Sequence, residues 1–590
     1  MSKRWRIRPH DPDRVSYLER TAGVPAIVAQ LLVSRGVTSP DAARTFLEAR
    51  LTGLRAPDQL PGAAAAAERI CQAVRDRRRI VVYGDYDADG MTATALLVRC
   101  LTQIGASVGY YVPNRLEEGY GLNDEALGKL AEQGASLIVS VDCGITSVAE
   151  AETARRLGLD LVITDHHEMG PTLPAAHQIV HPRLPGTDYP FGELCGAGVA
   201  LKLAWAICQQ ASQGPRVSEH LRQALLTAVG LAAIGTVADV VPLLDENRIL
   251  VRHGLRVLRQ QPTVGLAALM KVTGLDSKPE LAGEDIGFVL APRLNAAGRL
   301  GQAQLGVELL TTDSHTRAAA LAEYIQELNN SRDSLERSIY QAAKKQAMEQ
   351  FDPQQDAALV LAQRGWHPGV IGIVAGRLAE KFHRPVVMIA LDQLGSRVGS
   401  GSARSAGGLN LHQTLSACSQ HLLAHGGHAA AAGLRIDEAH IDSFRTEFCE
   451  HAACQIAAED RVAELHIDAE APLTQLTLKT AEQIELLAPF GHGNPRPLLC
   501  AQGVQLAEPP RRIGKGERHL SCKLTQFGTR LRAVAFHQAD WADQLPNLDA
   551  PLDVAFRPVI NEYLGRRSVE LHLVDWRPSQ ATAAVQATGR

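Results

Sequence analysis

The sequence predicts an α/β protein in which two α/β domains are joined by a long helix and followed by a small C-terminal β-barrel. Three observations carry this reading. The runs Ile80-Val81-Val82-Tyr83, Leu137-Ile138-Val139-Ser140-Val141 and Leu161-Val162-Ile163-Thr164 are short, apolar and β-branched. Helical patterns over residues 91–104 and 147–157 follow the first two, as expected of buried parallel strands. Residues 314–350 form a polar amphipathic stretch without Gly or Pro, which reads as a connecting helix. Beyond about residue 461 the hydrophobic period shifts to two, with strands expected at 519–524, 529–536 and 554–559.

Taken in order, residues 1–61 read as a helical lead-in, with Ser39-Pro40-Asp41 opening a helix. Residues 62–280 alternate strand and helix, and 281–355 carry helices that end in the connecting helix. A second α/β unit spans 356–455, beginning with Ala357-Ala358-Leu359-Val360-Leu361. Within it, Gly426-Gly427-His428-Ala429-Ala430-Ala431-Ala432-Gly433 reads as a glycine turn that opens a tightly packed helix. Residues 461–580 form the barrel, whose hairpin at 560–576 turns at Leu564-Gly565-Arg566.

With 590 residues the chain is too long for a single core. Its 60 basic and 64 acidic side chains nearly balance, so any nucleic-acid contact must come from local patches. Ten cysteines without paired metal spacings suggest reduced thiols and a cytoplasmic protein. The start, Met1 to Arg8, is basic but lacks the apolar core of an export signal. The most apolar stretch, 225–244, is interrupted by Asp239 and Pro242 and reads as a buried helix with a loop, not a membrane span.

The chemistry concentrates where the strands end. Tyr83 leads into Gly84-Asp85-Tyr86-Asp87-Ala88-Asp89-Gly90, Val141 into Asp142, and Thr164 into Asp165-His166-His167. In parallel sheets the ligand crevice lies at the carboxyl ends of the strands. Carboxylates and imidazoles gathered there suit divalent cations, and Asp85, Asp87 and Asp89 at alternate positions are expected to face one way. One acid after a strand is as readily a helix cap. Three such strand ends together favour a metal site.

These residues resemble the DHH phosphoesterase superfamily, and within it the single-strand-specific exonucleases. Residues 82–90, Val141-Asp142-Cys143-Gly144, Asp165-His166-His167 and Ala238-Asp239-Val240-Val241-Pro242-Leu243 match four ordered motifs. The resemblance implies two manganese or magnesium ions. Asp85 and Asp87 would serve the first, Asp142 would bridge, and Asp89, His166 and Asp239 would serve the second. Two such ions about 3.5–4 Å apart polarise a shared water and offset charge on a phosphate. His167 would bind the phosphate or assist the leaving oxygen, with Asp165 orienting a neighbour.

Residues 426–433 also resemble the family's DHHA1 motif, which makes His428 a substrate contact. Arg404, in Ser400-Gly401-Ser402-Ala403-Arg404-Ser405, matches a second family segment and suits bidentate phosphate binding. Arg293 and Arg299 would line the same channel or serve as ion-pair partners. His421 and His425, without acidic or thiol companions nearby, read as surface or core residues and not as metal ligands, so no third metal is expected there. In the barrel, an OB-fold by this resemblance, Arg511, Arg512 and Lys515 form a flexible basic loop for a nucleic-acid backbone. Phe527, Phe536 and Tyr563 either stack on bases or fill the barrel core. The resemblance implies a metal-dependent 5′-to-3′ exonuclease on single-stranded DNA that releases 5′-mononucleotides during recombination and repair. Single-strand-binding protein and a recombination helicase are the implied partners. The alternatives are a DHH phosphodiesterase for short oligonucleotides or cyclic dinucleotides, and a replication scaffold that has lost catalysis.

Overall fold

The three acid-bearing runs form neighbouring parallel strands. The sheet order is Val108–Tyr111, Ile80–Tyr83, Leu137–Val141, Asp160–Thr164, Gln178–Val180, all parallel. Both faces of the central strands are buried, which explains their continuous apolar composition. Ile80, Val82, Val139 and Val162 enter one core, while Val81, Tyr83, Ile138 and Ile163 enter the other. In register, Tyr83 pairs with Ser140 and Ser140 with Ile163. Asp85, Asp142 and Asp165 each lie two residues farther on and therefore leave the sheet at one level.

This computed structural model describes residues 3–115, 117–212, 216–350, 352, 356–392, 397–457, 461–545, 551–563 and 565–579. The chain divides into two units: residues 51–462 with 491–493, and residues 1–50 with 463–490 and 494–590. The larger contains the parallel sheet. Helix Glu219–Ala238 is long and apolar enough to cross a membrane, but it is packed among Ala88–Gln103, Gly196–Ala211 and Asp245–Gln260. Its carboxyl end delivers Asp239.

Helix His315–Gln350 leads to a second sheet in the same unit. Its strand order is Leu422–Gly427, Ala431–Asp437, Val398–Arg404, Val386–Leu391, Leu359–Arg364, and only the last pair is parallel. The helix expected after Gly427 is absent. Ala431 begins a strand paired on both sides, to Arg404 on one edge and, through Ala432, to Gly427 on the other. Pairing on both edges supplies the backbone hydrogen bonds that an alanine-rich helix would have made internally, so tertiary context overrides propensity here.

In the smaller unit the amino-terminal helices pack with the barrel. Arg4–Ile7 forms a strand parallel to Glu464–Ile467. Leu18, Val28, Leu31 and Leu32 share a core with Ile484, Leu487 and the barrel residues Leu520 and Phe556. The barrel closes through Leu499–Leu506, Leu552–Tyr563, Arg566–Pro578, Thr529–Ala535 and His519–Gln526, which pairs back to the first strand. Five strands closed in this way are the OB arrangement. The long hairpin joins Tyr563 to Arg566, and Leu564 of its expected turn lies outside the described residues.

Candidate metal centre

The acids reach the crevice by different local routes. Asp85 follows the Ile80–Tyr83 strand directly. Asp87 caps helix Ala88–Gln103, its Oδ1 accepting from Gly90 N at 3.0 Å. Asp89 sits in the first turn of that helix, so the three acids do not alternate along a strand as expected. The chain turns helical at Ala88, which sends Asp85 and Asp87 to one side and Asp89 to another. Asp89 is seated on the amino terminus of a second helix, Gly196–Ala211, accepting from Gly196 N at 2.7 Å and Ala197 N at 2.9 Å.

Two lobes result. Donor atoms of Asp85, Asp87 and Asp142 lie within 4.8 Å of one another, and so do those of Asp89, His166 and Asp239. The lobes meet at Asp142 and His166: Asp142 Oδ1 is 3.1 Å from His166 Nε2, which is 3.6 Å from Asp239 Oδ2 and 4.0 Å from Asp89 Oδ2. Asp142 Oδ1, Asp85 Oδ1 and His166 Nε2 are buried and make no hydrogen bond. Buried polar atoms are ordinarily paired. Three orphans set among the carboxylates of the two lobes fit divalent cations, and an oxygen-rich donor set with one imidazole fits manganese or magnesium.

Burial and mutual repulsion shift these groups. Burial and Asp87 push Asp85 well above its ordinary value, burial and Asp89 do the same to Asp142, and burial and Asp89 push Asp239 to about 8. Burial, then His167, holds His166 down at about 3, the neutral form a ligand needs. His167 behaves oppositely. Burial disfavours its charge, but the 2.7 Å contact of Nδ1 with Asp165 Oδ1 outweighs it and raises the imidazole to about 9. Asp165, held at about 2, also accepts from the backbone N–H of Ile145, which fixes the turn.

Basic residues border the centre. Burial, followed by Arg115, Arg332 and Arg404, pulls Arg299 down to about 10, so these guanidiniums form one crowded cluster that also feels Asp87. Arg115 stacks 4.8 Å over the Tyr86 ring. The sequence reading missed Arg115, although it follows the carboxyl end of strand Val108–Tyr111, where a crevice residue is to be expected. It also missed Tyr120, whose hydroxyl donates to Asp142 O and meets His167 Nδ1, both at 3.2 Å. Arg293 donates to Gln326 Oε1 and to Val289 O, neither of which is an ion-pair partner. His428, in the hairpin turn, faces Glu168 at 3.6 Å, one residue past His167.

Two expectations need correction, and one open alternative narrows. Arg511 and Arg512 are not in a loop: Arg511–Ile513 is an edge strand paired with His519–Gln526, and Lys515 lies in the turn between them. Glycines 514 and 516, at φ 84° and 73°, make that turn possible. Phe527, Phe536 and Tyr563, for which stacking and core readings both stood open, are exposed. His421 does have companions, because folding brings Glu447 to 2.6 Å from its Nε2.

Residues 79–232 match the profile of the DHH family, N-terminal domain, residues 355–453 the DHHA1 domain, and residues 467–575 the RecJ OB domain. The chain is 38% identical over 572 residues to the single-stranded-DNA-specific exonuclease RecJ of Bacillus subtilis, covering 97% of this chain and 70% of that protein. It is 36% identical over 586 residues to RecJ of Escherichia coli, covering 97% and 99%. The chain belongs to the RecJ family. RecJ of Thermus thermophilus, solved with Mn2+, superposes with a TM-score of 0.82 at 33% identity, over 98% of this chain and 80% of that one. The same RecJ solved with Mg2+ gives 0.75 at 30% identity, over 98% and 79%.

Proposed function

We propose that this chain is a metal-dependent exonuclease specific for single-stranded DNA, working from the 5′ end and releasing 5′-mononucleotides. The observation that carries this reading is the two-lobed acid and histidine centre, in a chain that also contains an OB barrel. In this reading Asp85 and Asp87 would hold one ion, Asp89, His166 and Asp239 would hold the other, and Asp142 would be shared between them. When bound, a pair of divalent ions lowers the pKa of a shared water and neutralises charge on the phosphate.

The chain's own residues do the rest. His167, kept protonated by Asp165 at neutral pH, offers its remaining N–H to a phosphate or leaving oxygen. Arg299 and Arg404, with Arg115, grip the backbone phosphate beside the lobe of Asp87, and their planar forks suit two phosphate oxygens at once. His428 approaches from the hairpin. Tyr120 holds the Asp142 backbone and the His167 ring in place.

The proposed division of labour gives hydrolysis to residues 62–280, strand guidance to 356–455 and strand capture to 461–580. Arg511, Arg512 and Lys515 supply backbone contacts there, and Phe527, Phe536 and Tyr563 supply stacking faces. A place in recombination and repair, a cytoplasmic setting, and single-strand-binding protein and a recombination helicase as partners complete the proposal. Digestion of end-labelled single-stranded DNA, RNA and duplex with Mn2+ or Mg2+ tests it. Release of mononucleotides from the 5′ end of single-stranded DNA alone is expected, and equal attack on duplex would overturn the specificity.

A further inference from the structure

Apart from the groups at the acidic centre, one other set of metal-ligating side chains comes together among the described residues. Donor atoms of Cys418, Glu447 and His451 lie within 4.8 Å of one another. Cys418 closes helix Leu411–Ala417, just before the hairpin of Leu422–Gly427 and Ala431–Asp437. Glu447 and His451 lie one turn apart on helix Ile441–Gln455, on the same face.

The carboxylate is already oriented. Glu447 Oε2 meets His421 Nε2 at 2.6 Å, and Gln420 Nε2 donates to Oε1 at 2.7 Å and to Oε2 at 2.6 Å. His451 Nε2 lies 3.7 Å from Oε1. An open depression lined in part by Thr446, Glu450 and Cys454 exposes Glu447 and His451 to solvent, while Cys418 closes the cluster from the core. A buried cysteine alone serves well as a small apolar residue. A thiol, a carboxylate and an imidazole converging from two elements, with the carboxylate held by two outer hydrogen-bond partners, is the composition of a metal site.

We propose that Cys418, Glu447 and His451 bind one thiophilic divalent ion of the zinc type, with solvent in the fourth position and His421 and Gln420 orienting the carboxylate. Tetrahedral ligands about 2.0–2.3 Å from an ion sit roughly 3.3–3.8 Å apart, so binding draws the three atoms inward by about 1 Å. The Cys418 thiol passes its proton to solvent as the thiolate forms, which makes affinity rise with pH. The sulfur donor separates this site chemically from the acidic centre, whose oxygen-rich set favours harder ions. The ion would tie the base of the hairpin that carries His428 to the helix behind it.

Co2+ is the probe, added to the full-length, chelator-stripped protein with excess Mg2+ present. A sulfur-to-cobalt charge-transfer band saturating at about one ion per chain is expected, because outside the acidic centre this is the group among the described residues that sets a thiol beside an imidazole and a carboxylate. The band should vanish in Cys418→Ser. His451→Ala and Glu447→Gln change solvent-facing side chains, so they keep the test valid if the cysteine variant misfolds. Each should weaken Co2+ and competing Zn2+ by at least the roughly 10–100-fold that losing an outer partner costs. Absence of the band in the folded chain, its survival in Cys418→Ser, or wild-type titration of both helix variants would overturn the proposal.

Discussion

His166 Nε2 and Asp142 Oδ1 face each other across 3.1 Å, and both are buried without a hydrogen bond. Neither atom is satisfied by the other: with the proton of the neutral imidazole on Nδ1, His166 Nε2 and an ionised Asp142 oxygen each present a lone pair there. Two lone pairs directed at one place are stabilised by a cation between or beside them.

Asp142→Ala should therefore abolish hydrolysis while leaving most of the affinity for single-stranded DNA. It removes the acid shared between the lobes but none of the basic contacts. Metal content, turnover and DNA binding measured on one preparation check this. Near-normal turnover with full metal occupancy would remove Asp142 from the centre.

Two glycines that supply no metal ligand of their own should matter almost as much. A Cβ on Gly196 would lie 2.4 Å from Asp142 Oδ1, and one on Gly235 would lie 2.2 Å from Asp89 Oδ1. Gly196→Ala and Gly235→Ala should each displace a carboxylate and lower Mn2+ affinity by at least about tenfold, the scale of losing an outer support. The stability cost should be about 1–3 kcal/mol, as for other overpacked sites. Mn2+ titration alongside thermal melts separates the two effects, and unchanged Mn2+ affinity in folded variants would show that the seat is not rigid.

Asp239 gives a pH prediction for the metal-free chain. Its carboxyl moves from 3.8 to about 8, chiefly through burial and then through Asp89 and Asp87. Between those values the folded state holds a proton that the unfolded state has released, so stability falls as pH rises through the window. Without divalent ions, the Tm of the wild type should drop more steeply between pH 5 and pH 8 than that of Asp239→Asn. Mn2+ should restore the wild type more than the variant, since only ions that bind the folded state stabilise it. Identical pH slopes for the two proteins would contradict the assignment.

The barrel arm is testable by salt dependence. Changing Arg511, Arg512 and Lys515 to Ala should weaken binding of long single strands and make the slope of log affinity against log salt shallower by up to about 2, at roughly 0.7 per phosphate contact. Arg512 already pairs with Asp543 at 2.5 Å, so Arg511 and Lys515 should account for most of the change. Point changes are preferred to removing the barrel, because residues 1–50 share its core. An unaltered slope would mean the arm does not touch the strand.

What the sequence determined by itself is what local pattern encodes. Buried parallel strands must be short, β-branched runs, so the ends bearing Asp85, Asp142 and Asp165 were readable, and a long stretch without Gly or Pro had to be the helix His315–Gln350. The tertiary structure alone decided the rest. Ala431 and Ala432 became strand because edges on both sides offered backbone partners. Arg4–Ile7 found its partner strand some 460 residues away, and Glu447 met His421 across 26 residues. Asp89 became a seated ligand because the N–H groups of Gly196 and Ala197, more than 100 residues distant, lacked helical partners and faced it. Hydrophobic period and turn chemistry act over a few residues, whereas these contacts depend on which surfaces the packed cores bring together.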